Sequence, residues 1–92
     1  MKQLNVRHIR NNALAAIRDR LGPGKGFALR AVEREGDAVI VRVNSGGNAL
    51  AVEPWLRRRG YRAEWDERGN PDGYGCAVRV TLPAPVQGGG RK

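Results

Sequence analysis

The chain has 92 residues, 40% of them apolar, and a formal net charge of +8; that is enough for one modest core and too little for two. Its longest uncharged apolar run is far short of a bilayer span and no apolar leader core follows Met1, so a soluble, cytoplasmic domain without a membrane partner is expected. A single cysteine excludes an intramolecular disulfide, and with a single histidine it leaves too few ligands for a structural zinc site.

In chain order, residues 3–9 (QLNVRHI) alternate, with Leu4 and Val6 inward and Ile9 a further candidate, and predict a first strand. Asn11 or Asn12 then offers a cap to a helix over residues 13–21, where Ala13, Leu14, Ile17 and Leu21 share a face and Gly22-Pro23 stops the run. Residues 27–33 (FALRAVE) and 38–43 (AVIVRV) read as strands joined by a turn at Glu35-Gly36-Asp37. The second is almost wholly β-branched and apolar, which is the composition of a central strand.

Ser45-Gly46-Gly47-Asn48 breaks the pattern before a second helix over about residues 48–59, with Leu50, Val52 and Leu56 towards the core. Pro54 is tolerated in a first turn but costs roughly 3 kcal/mol in a helix interior. The helix is therefore expected to start near Glu53, or to bend after a separate turn over 48–52, and to end at Gly60. Tyr61, Ala63 and Trp65 form the buried face of the following strand. Residues 66–75 make a turn-rich connection, and residues 76–82 (CAVRVTL) are a last strand that Pro83 stops. No internal repeat is apparent. The order β-α-β-β-α-β-β predicts an α+β fold, a two-layer α/β sandwich with two helices on one face of a four- to five-stranded mixed sheet. The other sheet face is left solvated, paired with a second copy as a homodimer, or used for binding. One domain is expected over residues 1–83, with a flexible basic tail over 84–92.

Leu4-Asn5-Val6-Arg7-His8-Ile9-Arg10, followed by Asn11-Asn12, a helix and Leu21-Gly22-Pro23-Gly24, resembles the opening of the TusA/SirA-like family of small sulfur carriers. There a strand of the form L-D-x-R-G-L-x leads into C-P-x-P, a helix and L-x-P-G. Pro54-Trp55-Leu56-Arg57 and Gly60-Tyr61 are similarly placed to the family's second helix and the R-x-x-G-H after it. The resemblance covers most of residues 4–82, with extra sequence near 27–35, and implies the two-layer fold. It places Asn11 and Asn12 where the family has its cysteine and proline, with Cys76 in the last strand, so it implies a member that has lost the sulfur-carrying cysteine.

No catalytic constellation is visible and no cofactor is implied. Gly22-Pro-Gly-Lys-Gly26 lacks the Ser or Thr and the following helix of a phosphate-binding Walker loop. Lys25-Gly26-Phe27-Ala28 matches the start of the RNA-recognition signature but loses its later aromatics. His8 reads as a surface histidine and Cys76 as a small packing residue. Ser45-Gly46-Gly47-Asn48 joins a strand to a helix start, where free N–H groups can hold an anion, although a tight connection needing glycine dihedrals is the commoner reason for such a join.

Charge is the remaining signal. Seven of the first thirty residues are basic and one is acidic, and Arg57-Arg58-Arg59 adds a second cluster in EPWLRRRGYRAEW. Those three also complement the carbonyls of a helix end, and with only five aromatics in the chain most are expected inside. A non-enzymatic domain binding RNA or DNA through phosphates is expected. Arg7, Arg10, Arg18, Arg20 and Lys25 would form the main patch, Arg57, Arg58 and Arg59 would supplement it, and Ser45 to Asn48 would serve as an anion loop. The same charge would suit a protein-interaction module, an adaptor or a small phage-type inhibitor, with an acidic protein partner.

Overall fold

The computed structural model describes residues 4–83; the expected tail over 84–92 lies outside them. The chain enters the fold through a helix, α1 (Val6–Leu21), where a strand over 3–9 was expected. Asn5 is extended and its side chain accepts a hydrogen bond from the His8 N–H, so the cap lies well before Asn11 and Asn12. From there Ile9, Ala13, Ala16 and Ile17 recur at helical spacing and are buried. The apparent alternation of Leu4 and Val6 comes from one residue before the cap and one after it. Two points of a period-two pattern could not outweigh a stripe that runs to Ile17.

A short 3-10 turn (Gly26–Ala28) replaces the start of the expected second strand, and β1 (Leu29–Glu35) pairs with β2 (Ala38–Val43) as the predicted hairpin. Then come α2 (Gly46–Arg58), β3 (Arg62–Asp66) and β4 (Cys76–Thr81). Ser45 caps α2 by accepting from the Asn48 N–H. Pro54 lies inside this continuous helix, neither at its start nor at a break. It is half-exposed, and the carbonyl that loses its donor belongs to Leu50, whose own side chain faces solvent.

The sheet order is β1-β2-β4-β3 and each pairing is antiparallel, so the four-stranded sheet is not mixed. Both helices pack on one face of it, giving a two-layer α+β domain. Val39, Val41 and Val43 of β2, Val78 and Val80 of β4, and Ile9, Ile17, Val52 and Leu56 of the helices are fully buried in one cluster. Burial of each such side chain contributes about 1.5–3 kcal/mol.

The element order is αββ twice, and the two units meet through β2 and β4. Asn12-Ala13-Leu14-Ala15 of α1 recurs as Asn48-Ala49-Leu50-Ala51 in α2, a short repeat that a strand-first reading hides. Each asparagine accepts a hydrogen bond from the other helix. Trp55 Nε1 donates to Asn12 Oδ1, and Arg20 Nε donates to Asn48 Oδ1, both at 3.2 Å. These ties fit only an antiparallel helix pair.

The sheet's second face is partly covered by the connection between β3 and β4. Asn70 is buried, and its Nδ2 donates to the carbonyls of Val43, Tyr74 and Cys76. Ile40 and Ala77, which alternation turns to this face, are fully buried. Gly75 has φ +72°, and a Cβ there would come within 2.1 Å of the Val43 carbonyl oxygen, so only glycine allows this approach.

Candidate nucleic-acid interface

Because the helices are antiparallel, the start of α1 meets the end of α2, and His8 Nδ1 lies 2.6 Å from the Tyr61 hydroxyl just beyond α2. This pole collects Arg7, Arg10, Arg57, Arg58 and Arg59. The opposite pole holds Arg18, Arg20 and Lys25 beside the loop from Ser45 to Asn48. All eight basic side chains are exposed and belong to the helical layer. Arg7, Arg10 and Arg18 share the outward stripe of α1 with half-buried Leu14. From Arg7 to Arg18 that stripe rises about 16 Å.

Trp55 is half-buried between the helices, and the guanidinium carbons of Arg58 and Arg59 lie 5.5 and 5.0 Å from its ring centroid. The indole holds both charges at the surface without neutralising them. Arg57 differs: its Nη2 is 3.2 Å from Glu53 Oε1, and its Nε donates to the Ala63 carbonyl. It is tied to the fold and is the weakest member of the predicted set.

Arg20 leaves the outward stripe and crosses to α2. Its guanidinium lies over Gly47, where a Cβ would come within 2.5 Å of Nη2. The predicted anion loop and a predicted patch residue are thus brought together, with Ser45 and Asn48 engaged in holding the helix start. A cation at the positive end of a helix adds to that end's field. Neither helix has an acidic residue in its first turn, and α1 carries Arg7 there. Each misplaced charge of this kind costs about 0.3–1 kcal/mol in isolation, a cost that a bound anion removes.

The remaining charges are distributed in the opposite way. Residues 6–28 and 44–60 hold eight basic and two acidic side chains, whereas residues 29–43 and 61–83 hold six basic and seven acidic. In the sheet layer Arg42 contacts Glu33 and Glu35, Arg68 contacts Glu35 and Asp66, Arg79 contacts Asp37, and Arg62 contacts Glu64. Arg30 counts towards the basic first third of the sequence, yet Asp72 holds it in a two-pronged pair, so it leaves the patch. Hydrogen bonds from Arg30 and Arg68 hold the Asp72 and Asp66 carboxyls below the usual carboxylate range. Among the described residues, seven of the eight helical-layer cations lack an ion-pair partner; Arg57 is the exception.

The aromatics correct a further expectation. Trp65, expected in the core with Tyr61 and Ala63, is 44% exposed, and Phe27 and Tyr74 are 70% and 76% exposed. Alternation put Trp65 on the correct sheet face. The ring, however, reaches Gly46 at the open end of α2, where there is no side chain to cover it. Glycines 46 and 47, expected as a tight connection or an anion loop, were the available signal.

Other chemistry finds little support in the described residues. A cleft of about 240 Å³ between Arg30, Ala31, Arg42, Asn70, Pro71 and Asp72 is smaller than the ~300–1,000 Å³ usual for small-molecule sites. No group of three His, Cys, Asp or Glu side chains among the described residues could hold a metal ion, and no helix among them is long and apolar enough to cross a membrane. Cys76 is half-buried against the core.

No family model, curated protein or solved structure matches the chain. The segment compared above with the first strand of the sulfur carriers is the beginning of α1, and Asn11 and Asn12 lie within that helix.

Proposed function

We propose that this domain is non-enzymatic and binds nucleic acid with its helical layer, chiefly through phosphates. The observation that carries the reading is the segregation of charge: cations without carboxylate partners cover the helices, while almost every arginine of the sheet layer is paired. Arg58 and Arg59, stacked on Trp55, and Arg7, Arg10 and Arg18, on one stripe, are the principal phosphate ligands. Arg20 and Lys25 extend the surface to the other pole. Phosphate contacts position a chain without reading its sequence, so selectivity between sequences is weak.

Affinity for RNA and DNA, read by fluorescence anisotropy, falls steeply with salt. If seven unpaired cations all engage, log K falls with log[salt] at a slope no steeper than about −6. Replacing Arg58 and Arg59 by Gln lowers the slope by about two. Failure to bind either nucleic acid at low salt overturns the proposal. Recovery of a stoichiometric acidic protein from nuclease-treated extract, with no nucleic-acid binding, would assign the same charge to a protein partner.

A further inference from the structure

The five large apolar side chains that stand exposed in the described residues are Leu21, Phe27, Leu50, Trp65 and Tyr74. They gather at one pole. Leu29, at the start of β1, pairs with Val43 at the end of β2; Val43 pairs with Cys76, which opens β4; Asp66, at the end of β3, pairs with Ala77. Phe27 and Leu21 precede β1, Tyr74 precedes β4, and Trp65 is the next-to-last residue of β3. Leu50 stands one helical turn from Gly46, against which the Trp65 ring lies. The sheet order puts β1, which follows Phe27, and β3, which holds Trp65, on opposite edges, three strand spacings or about 14 Å apart.

Basic groups stand among these rings. Lys25 Nζ lies 5.9 Å from the Phe27 ring centroid, Arg20 reaches over Gly47 between the two edges, and Arg18 lies one turn before Leu21. A dimer face or a lipid-seeking patch would bury such charges at a cost. Exposed aromatic faces spaced among unpaired cations match what a single strand offers, unstacked bases alternating with phosphates. A duplex keeps its base faces inside the stack and gives the rings nothing to cover.

We infer that this pole binds single-stranded nucleic acid, with bases stacked on Phe27 and Trp65, and Tyr74 as an outer contact, while Arg18, Arg20 and Lys25 take the intervening phosphates. The inference rests on the nucleic-acid reading above and narrows it to a substrate class.

The test uses the full chain with labelled 12-nucleotide oligo(dT) and oligo(U) and a 12-base-pair duplex at matched salt. The single strands bind at least about tenfold more tightly than the duplex. Phe27→Ala and Trp65→Ala each weaken single-strand binding by roughly 5- to 100-fold, while duplex binding and the salt slope stay unchanged. Trp65→Phe restores most of the loss, and the unchanged duplex binding excludes a folding defect. In a Trp55→Phe background, emission from Trp65 is quenched by the single strand. Equal affinity for strand and duplex with neutral alanine variants overturns this inference and leaves the phosphate-binding reading standing. No binding to any of the three probes removes both. A dimer by light scattering that Trp65→Ala dissociates would give the pole to a second copy instead.

Discussion

On the sheet layer Arg30, Arg42, Arg62, Arg68 and Arg79 each hold a carboxylate, and the sixth arginine, Arg34, donates to the Leu4 carbonyl. Over the helices every described arginine except Arg57 lacks a carboxylate partner, and Arg58 and Arg59 rest on an indole. An arginine count cannot distinguish these situations, because the net charge of +8 sums them. What separates them is the company each guanidinium keeps. Paired arginines close a face and fix a connection, whereas unpaired ones leave a field that reaches into solvent over about a Debye length.

The contrast can be broken by exchanging charge on either side of it. The largest effect is expected from Arg7→Gln, Arg58→Gln and Arg59→Gln combined. This variant loses roughly a thousandfold in nucleic-acid affinity near 50 mM salt and flattens the salt slope by about three, with its urea midpoint almost unmoved. The converse holds for the sheet layer. The Arg42 side chain is only 14% exposed and also donates to Gly69 O and Asn70 Oδ1, so Arg42→Ala leaves those acceptors unmatched. With Asn70→Ala, which frees three carbonyls, it should lower unfolding free energy by about 1–3 kcal/mol per substitution and leave binding intact. A matching loss of affinity in these two variants would mean that the layers are not separable.

Acid sharpens the same division. Asp66 and Asp72 have folded-state pKa values below their unfolded ones, because Arg68 and Arg30 hydrogen-bond their carboxylates. Their stabilisation is present above the unfolded value near 3.9 and is lost as pH falls through the folded values. Melting temperature should hold down to about pH 5 and then drop, and Asp72→Asn should blunt the drop. The smallest effect belongs to the entrance of α1. Asn5→Ala removes the cap on the His8 N–H and costs about 1 kcal/mol, without changing the salt slope.

Much of this architecture was legible in the sequence, for physical reasons that differ by element. β2 and β4 were visible because continuous β-branched residues have few other uses, and the hairpin because Gly36-Asp37 left no room for anything longer. The expected first strand is absent because Asn5 caps the helix six residues before Asn11, so the chain from Val6 onward is already helical. Pro54 was expected to bend or start a helix; on an outward side its missing N–H leaves unserved only the carbonyl of Leu50, an exposed residue. The basic residues were legible as a set. Their sorting was not, since the removal of Arg30 by Asp72 and the fastening of Arg57 by Glu53 and Ala63 depend on how the chain returns. The exposed rings were least legible, because burial of Trp65 turned on whether a neighbouring element carried side chains, and Gly46 does not.

The seam between β2 and β4 has a bearing on how the molecule is made. Val41 and Val78 face each other across it although thirty-seven residues separate them along the chain. An isolated first half would expose the open edge of β2, rich in valine, to any strand of like composition, including the same strand of a neighbouring copy. Assembly therefore cannot finish one unit at a time, and a chain cut near Asn44 should be rescued by adding the missing fragment in trans.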